Sequence, residues 1–194
     1  MRPIVTCADF FHALQNELRE LGRELLSHQE IRFLQTVLEI RPSEIITGQE
    51  LQSFIDRYAP AVRNPTDPLL DAIRWAMQNF LESEESGETV PWFKSGLDYA
   101  GAYTLLSTSD PGTYVVRPSS EDISAFALQW TSAGRQVKNA RIYTVSEGFS
   151  WRLKGGAIYQ TMTEMLREVR KLIRQPLRMP RQVPPDTTVR THTF

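Results

Sequence analysis

Apolar residues recur at three- and four-residue steps through the first 82 residues, and the pattern then changes to short β-rich runs. Phe10, Leu14, Leu18, Leu21 and Leu25 make one helical stripe, Ile31, Leu34 and Leu38 a second, and Leu51, Phe54, Ile55 and Tyr58 a third. Each stripe opens behind a hydroxyl and a carboxylate three residues apart: Thr6 with Asp9, Ser27 with Glu30, Thr47 with Glu50. That spacing is a capping box or a near relative, in which the two side chains satisfy backbone amides orphaned at a helix start. A fourth helix is predicted from Asp67, with Pro68 in its first turn and Leu70, Ile73, Met77, Phe80 and Leu81 inward. Arg41-Pro42 and Asn64-Pro65 punctuate the connections. Short connections predict antiparallel neighbours, so residues 1–82 read as a small helical bundle. Its core is modest, and the back half or a second copy would add to its stability.

Glu82 to Glu88 is a run of carboxylates with Ser and Gly that cannot bury apolar area. Residues 83–90 are expected to be an acidic, solvated linker; its first few residues read equally as a frayed helix end. From Pro91 onward strands dominate. Trp92-Phe93 begins a sheet, a helix follows over 98–106, and strands follow near 113–117, 125–131, 137–144 and 149–152. A second helix is predicted from Thr161 to Ile173, opened by Thr161 and Glu164, with Met162, Met165, Leu166, Val169, Leu172 and Ile173 inward. The expected class is therefore α+β: a helical bundle, then an antiparallel sheet flanked by two helices over 91–179. A tail over 180–194, holding Pro184-Pro185, is expected to be extended and mobile.

Charge sharpens the division. Residues 1–90 carry 8 Lys+Arg against 15 Asp+Glu, whereas residues 91–180 carry 12 against 7. The basic back half suits an anionic partner. Nucleic acid is not expected, because basic and aromatic residues do not interleave. The lone Cys7 excludes an internal disulfide or a thiolate metal cluster and fits a reducing, cytoplasmic setting. His12, His28 and His192 lack metal-ligand spacing, and no apolar stretch is long enough to span a bilayer or resembles a signal-peptide core. Neither a phosphate loop nor a nucleophile elbow or dinucleotide fingerprint occurs, so neither an enzyme nor a cofactor is expected.

The chemistry concentrates at one residue. Gly112, after Asp110-Pro111, supplies a turn; Thr113 to Val116 favour a buried strand; Arg117 then stands at the end of that apolar run. A buried guanidinium is costly unless an anion or a dense set of acceptors meets it, and its planar fork matches a phosphate. The alternative is an internal partner: Glu121, Asp122 or a backbone carbonyl. The flanking residues narrow the choice. Trp92, a helix ending in Leu105-Leu106, Gly112-Thr-Tyr-Val-Val-Arg-Pro-Ser119, Ala125-Phe-Ala-Leu-Gln-Trp130 and Val137-Lys-Asn-Ala-Arg-Ile142 follow in order. This arrangement resembles a Src-homology-2 domain, the phosphotyrosine-binding module, ungapped from Trp92 to Trp130 and over about residues 90–178.

The resemblance implies a phosphotyrosine site built from Arg117, Ser119, Ser120, Glu121, Arg141, Asn139 and Tyr99. Arg117, Ser119 and Ser120 would hold the phosphate, and Arg141 and Asn139 would touch the ring. The chain departs from the family at three positions: Tyr99 replaces an arginine of the first helix, Asn139 a histidine, and Ala140 a tyrosine that walls the pocket for residues after the phosphotyrosine. Strong reading of phosphotyrosine with weak downstream selectivity is expected, or, as the alternative, a fold that has lost phosphate binding. Partners would be tyrosine-phosphorylated proteins, with a second protein partner for the helical half. The three departures together point to a translocated bacterial effector acting in a host cytosol.

Overall fold

The computed structural model describes residues 6–40, 44–58, 67–82, 88–146 and 148–179. Arg41-Pro42, Asn64-Pro65, linker residues 83–87 and the tail from Pro180 lie outside the described residues.

The helix starts are where the capping pairs predict them. Helix α1 (Cys7–Glu20) is capped by Thr6, whose side chain accepts from Asp9 N. In α2 (His28–Leu38) Ser27 and Glu30 form a complete reciprocal box. Before α3 (Gly48–Tyr58), Thr47 N donates to Glu50 Oε2 at 2.7 Å while Glu50 N donates to Thr47 Oγ1 at 3.2 Å. Asp67 caps α4 (Pro68–Phe80). The first stripe runs on too far: Gly22 takes a left-handed φ of 63° and ends the helix, so Leu21 and Leu25 are exposed. Leu26 enters the core instead, its backbone held at both N and O by the Gln15 amide.

The back half consists of α5 (Tyr99–Ser107), β1 (Thr113–Pro118), β2 (Ala125–Thr131), β3 (Val137–Val145), β4 (Gly148–Ser150), α6 (Met162–Glu168) and β5 (Gln175–Pro176). The five strands lie in the order β4-β3-β2-β1-β5. The sheet is mixed, not wholly antiparallel: β5 pairs parallel with β1. Gly112, at φ 90°, makes that pairing possible, because its carbonyl accepts from Arg174 N at 2.6 Å and an added Cβ would strike the Arg174 side chain. Trp92-Phe93 contributes a single parallel bridge, Phe93 to Val116, rather than a strand. The last helix stops at Glu168 and continues as turns, which leaves Leu172 half exposed.

One aromatic cluster joins the helical segment to the sheet. The Phe80 ring, on α4, lies 4.4 Å from Phe93 and 5.2 Å from Phe126, and Tyr58, on α3, lies 5.7 Å from Phe126. Trp75 packs 4.9 Å from Phe149. Just beyond the end of α4, Leu81 bridges Thr89 and Glu82 N donates to Glu88 O. The two halves of the chain therefore share a hydrophobic core. No helix among the described residues is long and apolar enough to cross a membrane.

Candidate functional site

Strand alternation fixes which side chains share a face. Val115, two residues before Arg117, packs with Ala102 and Leu106 of α5, so Arg117 rises from the α5 face of the sheet. The register sets Arg117 opposite Ala127 and Ala127 opposite Arg141, which makes a row across three strands with a small residue between two cations. At roughly 4.8 Å per strand, the two arginine backbones lie about 10 Å apart, a span that two converging long side chains can close around one anion. One rung further along, Val115, Gln129 and Asn139 make the parallel row. Lys138 points to the opposite face, as alternation requires, and is exposed.

Arg117 is only 3% exposed. Its Nε donates to Gln129 Oε1 at 2.5 Å and its Nη1 to the Pro118 carbonyl at 3.0 Å. Both acceptors are neutral, and among the described residues no carboxylate forms an ion pair with it. Burial pulls its pKa below the ordinary arginine value, opposed by Asp98, Tyr99 and Glu121. The group stays cationic, since an arginine has a very large margin to lose. The Tyr99 ring lies over the guanidinium, 5.6 Å from Cζ to centroid, and stacks in turn on Tyr103. Asp98 caps α5 through Gly101 N, which places Tyr99 at the helix start directly above the strand end.

The connection from β1 to β2 is ordered by its own polar groups. Ser119 Oγ accepts from Glu121 N and Asp122 N at 3.3 and 3.2 Å, and Asp122 Oδ1 accepts from Ser124 N and Oγ. Ser119 N donates to Ala125 O at 2.9 Å and closes the loop. Ser120 sits exposed at its tip. The Glu121 carboxylate reaches back across the face to Arg141 Nη2 at 2.5 Å. Asn139 is exposed beside Gln129. Arg117, Tyr99, Ser119, Glu121 and Arg141 are thus gathered around one end of α5, with Ser120 at the rim and Asn139 one rung away.

Gln129 is the residue that sequence reasoning missed. It is fully buried, and its Nε2 has no partner among the described residues. A polar amide at an inward position of an otherwise apolar strand was the signal that could have found it.

On the other face, Ala140 opens an apolar cleft of about 310 Å³, walled by Leu128, Trp130, Trp151 and Ile173. Trp151 is half-buried there. The described residues contain no cluster of His, Cys, Asp and Glu suited to a metal ion.

Residues 92–169 match the family model of the SH2 domain. This part of the chain is an SH2 domain. The solution structure of the SH2 domain of human proto-oncogene protein VAV1 is among the similar solved structures. It is 21% identical, covers 47% of this chain and 72% of that chain, and gives a TM-score of 0.39. Among curated proteins, no sequence matches this chain. The SH2 span opens at Trp92, two residues after Val90, whose N donates to Phe80 O at the end of α4. SH2 domains as a family bind phosphotyrosine peptides.

Proposed function

We propose that this protein is a non-catalytic phosphotyrosine-binding adaptor, or a competitor for phosphorylated sites, and that Arg117 is its anion receptor. The observation that carries this reading is the state of Arg117: nearly inaccessible, cationic, and bonded only to neutral oxygens. A phosphotyrosine brings a charge near −2 and three acceptor oxygens, which supplies the counter-charge the fold leaves out. Ser119 has its hydroxyl proton left to donate after accepting two loop amides, and Ser120 stands at the rim. Arg141 is exchanged from Glu121 onto the incoming group or over its ring, at little cost because the ion pair is exposed. Asn139 offers an amide donor at the edge, and Tyr99 packs beside the phosphotyrosine ring.

Downstream selectivity is weak in this reading. The cleft at Ala140 is lined by carbon, so it separates apolar from charged side chains but discriminates little among apolar ones. Acting on tyrosine-phosphorylated host proteins in a host cytosol, as a translocated bacterial effector would, is the setting that fits a module departing from the family at Tyr99, Asn139 and Ala140. The helical half then serves as a second interaction surface or as a support for the module.

A second reading rests on Tyr99 and Glu121. The aromatic ring covers the guanidinium where the family carries another cation, and Glu121 occupies Arg141. Together they describe an SH2 fold that has given up phosphate for another protein contact. Fluorescence polarisation with one peptide in phosphotyrosine, phosphoserine and unmodified tyrosine forms separates the two. Adaptor function predicts binding of the first alone, because only the longer side chain reaches Arg117. Equal binding of all three supports the second reading.

A further inference from the structure

The carbonyl of Ala125 receives two hydrogen bonds. One, from Ser119 N, closes the β1–β2 loop. The other comes from Arg57 Nη1 at 2.8 Å, from the last turn of α3 and 68 residues away in sequence. The Arg57 guanidinium also lies 5.8 Å from the Phe126 ring centroid. Phe126 pairs with Pro118 on the last rung before the loop, so Arg57 grips the strand end that carries Ala125 at both backbone and side chain. Tyr58, the next residue, is buried against Phe54, Phe80 and Phe126, which anchors this end of α3 to the sheet. Burial lowers the pKa of Arg57, while Asp122, inside the loop, favours its charged form. A half-buried cation whose hydrogen-bond partner is a loop-closing carbonyl, with Asp122 as the nearby acid, is placed to hold that loop rather than to solubilise a surface.

We propose that Arg57 is a positioning residue of the phosphate loop, so that the helical segment forms part of the phosphotyrosine site; this rests on the adaptor reading above. The loop amides of Glu121 and Asp122 and the Ser119 hydroxyl keep one arrangement because α3 clamps the loop at its base. Pre-ordering of this kind lowers the entropy that the ligand must otherwise supply on binding.

The test uses the full chain with Arg57→Met, which keeps the aliphatic stem on Phe126 and removes the donor, and Arg57→Lys, which restores one donor. Two measurements are made: affinity for a phosphotyrosyl peptide, and amide hydrogen exchange at Ser119 and Asp122 relative to Val116, a core amide that reports global unfolding. Expected are affinity reduced roughly three- to tenfold in Arg57→Met, faster exchange at the two loop amides with Val116 unchanged, and recovery of both in Arg57→Lys. Arg57→Met with wild-type loop exchange and wild-type affinity overturns the proposal. If the wild type itself ignores the peptide, the adaptor reading fails, while the exchange comparison still decides whether Arg57 holds the loop.

Discussion

The side-chain oxygen of Gln129 holds Arg117 Nε at 2.5 Å inside the sheet. A neutral amide orients the guanidinium without neutralising it, and the proposed function assigns that charge to a phosphate. Gln129→Glu keeps the shape and supplies an internal carboxylate, turning the receptor into a satisfied ion pair. Phosphotyrosyl-peptide binding should fall by more than tenfold, with the thermal midpoint held or raised. Calorimetric titration alongside a melting curve checks both halves of this expectation.

Tyr99 covers the same guanidinium from above. An aromatic face over a partly desolvated cation contributes about 0.5–2 kcal/mol. Tyr99→Ala removes that face and lets water reach Arg117, so affinity should drop about three- to tenfold. Tyr99→Arg adds a cation at the position where the family carries one, and the same titration should show tighter binding than wild type.

Glu121 is the carboxylate paired with Arg141, and in the proposed function the ligand displaces it. It is an exposed partner, so its removal costs the fold little. Glu121→Gln frees Arg141 and deletes a negative charge from the phosphate loop. Affinity for a phosphotyrosyl peptide should rise a few-fold, and the salt dependence of binding should steepen.

The shared aromatic core predicts cooperative unfolding. Phe80 belongs to the helical segment yet touches Phe93, Phe126 and Phe149 of the SH2 domain. Phe80→Ala should cost about 3–5 kcal/mol, and differential scanning calorimetry should show one transition for the chain, shifted as a unit. Two transitions, with only the earlier one displaced, would mean the halves stand independently.

Glu30 predicts how stability follows pH. Burial alone would raise its pKa, but hydrogen bonds from Arg74 and Ser27 outweigh that and hold it below the ordinary value of 4.5. A carboxylate depressed in the folded state stabilises it above the unfolded value and loses that contribution as pH falls through the folded one. Denaturant midpoints should therefore decline below about pH 4.5, and Glu30→Gln should be less stable than wild type at neutral pH with a flatter acid limb.

What could be read without coordinates was local. The pairs Ser27/Glu30 and Thr47/Glu50 act across three residues, so a linear scan finds them. Arg117 was conspicuous because a cation at the end of an apolar strand violates the pattern around it. The stripe through Leu21 and Leu25 misled because periodicity carries on past Gly22, whose left-handed turn ends the helix. Leu172 misled in the same way beyond Glu168. The two-residue strand at Gln175-Pro176 has no periodicity to read. Arg57 and Phe80 looked like ordinary residues of a helical bundle, because their partners Ala125 and Phe126 stand more than forty residues away in the chain. Gln129 was accessible in principle, since alternation sets it inward beside Arg117, but only the register shows that the two meet.

Titrating a phosphotyrosyl peptide into wild type and Arg117→Ala by isothermal calorimetry tests the central claim most directly. Losing a buried charge-assisted contact of this kind costs about 2–5 kcal/mol, so the variant should bind at least about 30-fold more weakly than a micromolar wild type. Equal affinities for the two proteins, at whatever strength, would contradict Arg117 as the phosphate receptor.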